Sequence, residues 1–393
     1  MNRPPFEVAD VIRAAGKDFI EKHRSWLTRI HRKVLSAIER CRTAALGGHQ
    51  DRCSRCGHTV AISYNSCRNR HCPKCRINAG KKWLSARQLE LLAVPYVHLV
   101  FTIPHVLAPL LLHNKKLLYD LLFRASAETL LEIAADSKHL GAEIGFFAVL
   151  HTWGQNLMHH PHIHCVIPFG GLSADHTVWI HPRYRFFLPR GVLAEVFRGK
   201  FIKGLKAAFR RGELSLTGEL QHLLERKAFF AFLRAAYAHR WVVDVKPTFR
   251  RPDHVLRYLA HYTHRVAISN HRLISMDSNT VTFRWKDYRD GSKVKQMKLS
   301  VEEFLRRFLL HTLPPGFVRI RFFGFMANRR RSASLTLCQK LLGDNQPQEL
   351  SKISKESTWS CPICGGPMVV IRRYAAQQIL LESLRKLNVA DTS

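Results

Sequence analysis

The chain has 393 residues, 46% of them hydrophobic, which is enough for two or three folded units with substantial cores. Lys and Arg number 62 against 29 Asp and Glu, and the resulting formal charge of +33, spread along the whole length, calls for a polyanionic partner, nucleic acid first. No apolar run approaches the ~20 residues of a membrane span, no GxxxxGK phosphate loop is present, and the start MNRPPFEVADVIRAAG lacks the order of a secretory signal.

Membrane, motor and secreted classes are therefore set aside. The protein is expected in the cytosol, associated with the nucleoid, with its ten cysteines as thiols or metal ligands instead of disulfides.

In chain order, apolar residues from Val8 to Ile38 recur at helical spacing among basic ones and predict two helices before the Gly47-Gly48 break. A cysteine-rich block runs from Cys53 to Cys75, and AGKKWLSARQLELL closes it as a helix. VPYVHLVFTIP then alternates and is β-branched, predicting a strand that ends at Pro104. A helical region over about 106–138 leads to a second strand, GFFAVLHTW, and to the histidine-rich HTWGQNLMHHPHIHC.

After PFGG, VWIHPRYRFFLP reads as extended. Two helices follow between Gly191 and Arg240, then a strand, WVVDVKP. Pro252-Asp253 suits a helix start and introduces HVLRYLAHYTHR. TVTFRWKDYRDGSKVKQMKLS predicts a hairpin turning at Asp290-Gly291, followed by the helix VEEFLRRFLLHTL. From Ser332 the sequence is polar and weakly patterned apart from CPICGGPM.

Cys53-x-x-Cys56 and Cys72-x-x-Cys75 predict one tetrahedral zinc site, each knuckle directing two thiolates at the ion. Cys67 and His71 are secondary candidates, and Cys361-Pro-Ile-Cys364 is half a site without a downstream partner. Arg68, Arg70, Lys74 and Arg76 in the block suggest contact with DNA.

Strand alternation sets His160, His162 and His164 on one face, where a pair at spacing two can hold a divalent ion. Isolated strand histidines usually serve the core or surface, so His98, His105 and His151 are set aside as structural. Tyr258 and Tyr262 are four residues apart and share a helix face, in a stretch that also holds Arg257, His261, His264 and Arg265. A metal-binding pair, two phenols and a basic surface together suggest phosphoryl transfer on DNA. The ion polarises the scissile phosphate and a phenolate attacks in line, leaving a phosphotyrosine and a free 3′-hydroxyl.

HPHIHC with PFGG, YLAHYTHRVAISNHRL, SCRNRHCPKC, HLVFTIPH and FLLHTLPPGFVRIRFFGFMANRR together resemble the rolling-circle (HUH, two-tyrosine) transposases of the insertion-sequence-ninety-one family. The likeness covers most of residues 50 to 330. It implies an α+β HUH endonuclease fold, a central antiparallel sheet flanked by helices with the histidine strand in its middle, preceded by a helical and zinc-binding domain. It also implies Mg²⁺ or Mn²⁺ at His162 and His164, Tyr258 and Tyr262 as nucleophiles, structural Zn²⁺, and single-stranded DNA at element ends with a target DNA.

A third metal ligand is usual in such enzymes. Gln155 is the choice by spacing, with His160 and His261 behind it and His151 and His159 as bystanders. His261 stands where relatives are expected to carry Arg or Lys. The expected organisation is a helical segment over 1–48, a zinc-binding domain over 49–90 and a nuclease domain with a helical insertion over 91–275. A basic hairpin and helix over 276–335 and a tail over 336–393 complete it.

With no motor motif, duplex opening falls to a host helicase or the replication machinery. Rival readings are a replication initiator or relaxase, a nuclease without a covalent intermediate, and a non-enzymatic zinc-dependent regulator.

Overall fold

A computed structural model describes residues 4–75, 83, 87, 90–183, 186–249, 266–288, 290–343 and 360–379. The chain divides into two compact units, each assembled from separated stretches: residues 1–79, 268–306 and 346–393 form one, and 80–267 with 307–345 the other.

The first unit begins with α1 (Val8–Lys22) and α2 (Arg29–Glu39). Their apolar stripes bury Val8, Val11, Ile12 and Phe19 on α1 and Val34, Leu35 and Ile38 on α2. Thr28 caps α2 by accepting from the His31 amide. Next come β1 (Gly48–Cys53) and β2 (Ser63–Tyr64).

The second unit opens with β3 (Tyr96–Thr102), α3 (Ala108–His113) and α4 (Lys115–Ala135). There follow β4 (Gly145–Trp153), β5 (His159–Pro168) and a short ribbon of β6 (Gly171–Leu172) with β7 (Trp179–Ile180). Then α5 (Arg190–Arg210), α6 (Arg226–Ala238) and β8 (Val242–Phe249) complete the run before residue 250.

Back in the first unit, β9 (Leu273–Met276), β10 (Thr280–Asp287) and β11 (Lys293–Ser300) make a three-stranded sheet. The predicted hairpin turn is present, with Gly291 at φ +57°, a conformation glycine adopts without a Cβ clash. The helix α7 (Val301–Leu310) follows, then β12 (Ile320–Gly324) and α8 (Arg331–Leu341) in the second unit, and finally β13 (Met368–Tyr374) in the first.

The central sheet of the second unit has the order β12-β4-β5-β3-β8 and is antiparallel throughout, so the histidine strand β5 occupies its middle. Alternation sorts its side chains. Val97, Leu99 and Phe101, Ile163, Cys165 and Ile167, and Phe146, Ala148 and Leu150 bury one face in the main core with α4, α5 and α6. On the other face Tyr96, Phe147, Val149 and Val166 build a smaller core with Phe325 and Leu335.

Among the described residues, no helix is long and apolar enough to cross a membrane.

Three readings differ from the structure. Among the described residues VWIHPRYRFFLP pairs only at Trp179–Ile180, and Pro182, which cannot donate to a ladder, follows two residues on. The stretch after Ser332 holds most of α8 and all of β13, whose partners lie far away in sequence. IRFFG, unassigned from its pattern, becomes the sheet edge β12. The helix expected after Pro252 lies outside the described residues, and most of AGKKWLSARQLELL does as well.

Candidate metal centres

On β5, His162 and His164 lie on the face opposite the main core, as the His-x-His spacing requires. Ladder pairing then adds a third imidazole: His151 of β4 stands directly opposite His162. The ligand atoms of His151, His162 and His164 lie within 4.8 Å of one another. Adjacent ligands on an ion with ~2.1 Å bonds are ~3 Å apart, so a bound ion would draw the three rings inward.

His151 and His164 are buried, at 3% and 7% exposure, whereas His162 is half-buried.

Hydrogen bonds fix which nitrogens face the group. The Nδ1–H of His162 donates to the His160 carbonyl at 2.6 Å, leaving Nε2 with its lone pair. His164 Nδ1 is 2.8 Å from Nε2 of His98 on β3, with the two rings parallel to within 3°. Donation from His164 to His98 leaves Nε2 of His164 for an ion and holds the ring in place. Burial pushes both His98 and His162 down to about 3, so both imidazoles are neutral at physiological pH, the form a ligand needs.

Gln155 lies in the turn between β4 and β5, two residues past the last ladder pair, Trp153↔His159. His160 supplies its carbonyl to His162, and its imidazole does not join the three-histidine group. His159 is engaged elsewhere, with Nε2 2.8 Å from the Tyr119 hydroxyl. Tyr258, Tyr262, Arg257, His261 and Arg265 lie outside the described residues.

The cysteines form two groups in the first unit. Cys72 and Cys75 meet Cys41, at the end of α2, and Cys67, while Cys53 and Cys56 meet Cys361 and Cys364. The single set Cys53, Cys56, Cys72 and Cys75 expected from spacing is therefore divided between two clusters. In the first, the sulfur separations are 3.5 Å (Cys41 to Cys75), 3.6 Å (Cys67 to Cys75) and 3.6 Å (Cys72 to Cys41). Four thiolates on zinc with Zn–S near 2.3 Å have S···S edges of ~3.8 Å, so the donor set fits that ion.

Of the basic residues beside these thiols, Arg68 is exposed and Arg70 half-buried. Lys74 is turned inward in an ion pair with Glu7 ahead of α1. Arg76 lies outside the described residues.

His151 and Cys41 escaped the sequence reading, one as an isolated strand histidine and the other as a helix-end cysteine outside any knuckle. His98 had no signal beyond its place on a predicted strand.

A family model described as "Putative transposase" matches residues 145–333, spanning the histidine strands, and one described as "Transposase zinc-binding domain" matches residues 11–103. Among curated proteins, the chain is 50% identical over 387 residues to "Putative transposase y4qJ" of Sinorhizobium fredii, covering 95% of this chain and 97% of that one. It is 29% identical over 344 residues to the "Transposase for insertion sequence element IS801" of Pseudomonas savastanoi pv. phaseolicola, covering 84% and 80%. The chain belongs to the insertion-sequence-ninety-one family of transposases. No solved structure matches it.

Proposed function

We propose that this transposase nicks single-stranded DNA at the ends of its element through a tyrosine nucleophile, beside a divalent ion held by His151, His162 and His164. The observation that carries the reading is the three-histidine group on the middle strands of the antiparallel sheet, with the His162 imidazole held neutral by burial.

Bound there, Mn²⁺ or Mg²⁺ would supply Lewis-acid polarisation of the scissile phosphate. The chain's own residues do the rest. His98 holds His164 in one ring orientation, and the His160 carbonyl holds His162. Tyr258 or Tyr262 attacks the phosphorus in line as its phenolic proton leaves. The bond to the 3′ oxygen breaks, giving a 5′-phosphotyrosine and a 3′-hydroxyl, and the phosphodiester energy is kept for rejoining. The second tyrosine permits a second cleavage or a strand transfer while the first link persists.

Tyr258 is nine residues beyond Phe249, the last residue of β8, and ~3.3 Å of reach per residue allows ~30 Å. That span is compatible with delivering a phenol to the neighbouring strands.

In this reading Cys41, Cys67, Cys72 and Cys75 hold a structural zinc, and Arg68 and Arg70 offer their charge to the DNA backbone, with Arg76, Arg257 and Arg265 contributing further positive charge. A host helicase or replication fork provides the single strand.

The test is covalent capture on a single-stranded oligonucleotide carrying an element end. Tyr258→Phe and Tyr262→Phe single variants should reduce adduct, and the double variant should abolish it. Adduct persisting in the double variant would overturn the tyrosine chemistry, and nicking without any adduct would point to a nuclease using water.

A further inference from the structure

We propose that Cys53, Cys56, Cys361 and Cys364 form a second zinc centre, built from two copies of one knuckle more than 300 residues apart, which fastens the C-terminal strand to the N-terminal module. The stretch matching the zinc-binding domain ends at residue 103, so two of these four thiols lie far outside it.

The two knuckles share one backbone pattern. Cys53-Ser-Arg-Cys56 is followed by Gly57 and Cys361-Pro-Ile-Cys364 by Gly365, and both glycines lie in the left-handed region, at φ +73° and +69°. The Gly57 amide donates to the Cys53 carbonyl at 3.1 Å, and the Gly365 amide to the Cys361 carbonyl at 2.9 Å. The Cys53 amide donates to the His58 carbonyl and the Cys361 amide to the Gly366 carbonyl, each at 2.8 Å. A turn of this kind presents two sulfurs to one point, and two such turns facing each other complete a tetrahedron.

The sulfurs meet across the gap. Cys53 is 3.5 Å from Cys364 and Cys56 is 3.7 Å from Cys361, close to the ~3.8 Å edge of a four-thiolate zinc site. The amides of Arg55 and Cys56 point at the Cys53 sulfur from 3.3 and 3.5 Å, donors that favour its thiolate form. A Cβ at Gly366 would sit 3.2 Å from both the Cys53 and Cys364 sulfurs and 2.9 Å from the Arg55 Cβ, so the cradle admits only glycine there.

The surroundings lock the same ends together. β1 pairs with β13 from Gly48↔Tyr374 to Cys53↔Met368, and the Ser54 amide donates to the Pro367 carbonyl at 3.0 Å. Apolar burial on β13 is confined to its ends, Met368 and Tyr374, since Val369, Val370 and Ile371 between them are about half exposed. The exposed Cys56 has no hydrophobic reason to face three other thiols. An ion closing so long a loop supplies the stabilisation that packing does not.

The experiment uses the full chain in a His162→Ala/His164→Ala background, so that the histidine group is removed as a competing site. Zinc content by mass spectrometry should be two per chain, falling to one in the added Cys361→Ser/Cys364→Ser variant. An unchanged content overturns the proposal. A second readout needs no cysteine variant: in the zinc-loaded protein, Cys56 and Cys364 should resist alkylation until a strong chelator is added. Equal labelling with and without chelator would likewise overturn it.

Discussion

His151 and His162 face each other across the β4–β5 ladder, with ring centroids 5.5 Å apart, and His164 lies 4.3 Å from His151 by the same measure. Three imidazoles from two adjacent strands thus converge where the sequence offered a pair.

We propose His151 as the third ligand in place of Gln155. His151→Ala should weaken Mn²⁺ binding by ~100-fold or more, beyond the ~10–100-fold typical of outer partners, while Gln155→Ala should change it by less than threefold. Imidazole donors also favour Mn²⁺ over the oxygen-seeking Mg²⁺, so Mn²⁺ should support cleavage at lower concentration. Manganese titration followed by electron paramagnetic resonance measures the affinities, and comparable losses in both variants would contradict the assignment.

His98 acts as a positioning residue through the 2.8 Å contact with His164 Nδ1. His98→Leu should lower Mn²⁺ affinity ~10–100-fold while the rest of the sheet keeps its fold. His98→Gln, which retains an acceptor, should recover part of the loss. Equal behaviour of the two variants would mean that His98 serves only to fill space.

Acid should destabilise the second unit steeply. Burial pushes His98, His162 and His311 down to about 3 and His159 well below its usual value. Unfolding returns these imidazoles to ~6.5, so between that value and about 3 the unfolded chain binds more protons. Stability is therefore fully present above ~6.5 and declines as pH falls toward 3. Denaturant unfolding of the metal-free protein near pH 5 should take up about four protons from these groups. His311→Gln should remove about one; its ring, bonded to Thr152 and the Leu157 carbonyl, is no part of the metal group. A flat pH profile would contradict the burial argument.

The histidine pair, the strands bearing it and the hairpin at Asp290-Gly291 were legible because alternation and turn chemistry are local. His151 was set aside as an isolated strand histidine, because its place beside His162 depends on a cross-strand register that no local pattern states. Continuing a regular ladder from Trp153↔His159 would set His151 opposite Pro161, on the other face from His162. The register shift between His151 and Trp153 moves it by one residue and onto the metal face.

The cysteines were concealed differently. Each Cys-x-x-Cys was visible, but thiol spacing does not state which knuckle meets which. Cys53 and Cys56 find partners across more than 300 residues because β1 and β13 pair, and Cys41 joins Cys72 and Cys75 from the end of α2. Linear order held no sign of either.

The measurement that bears most directly on the proposed chemistry is the position of the DNA on the protein. Wild-type protein is incubated with Mn²⁺ and a single-stranded oligonucleotide bearing an element end. Trypsin and nuclease digestion then precede mass spectrometry. The account predicts a nucleotide remnant on the peptide Tyr258–Arg265, YLAHYTHR, at one of its two tyrosines, and its loss when His151, His162 and His164 are replaced by alanine. A remnant on any other peptide, or one that survives removal of all three histidines, would contradict it.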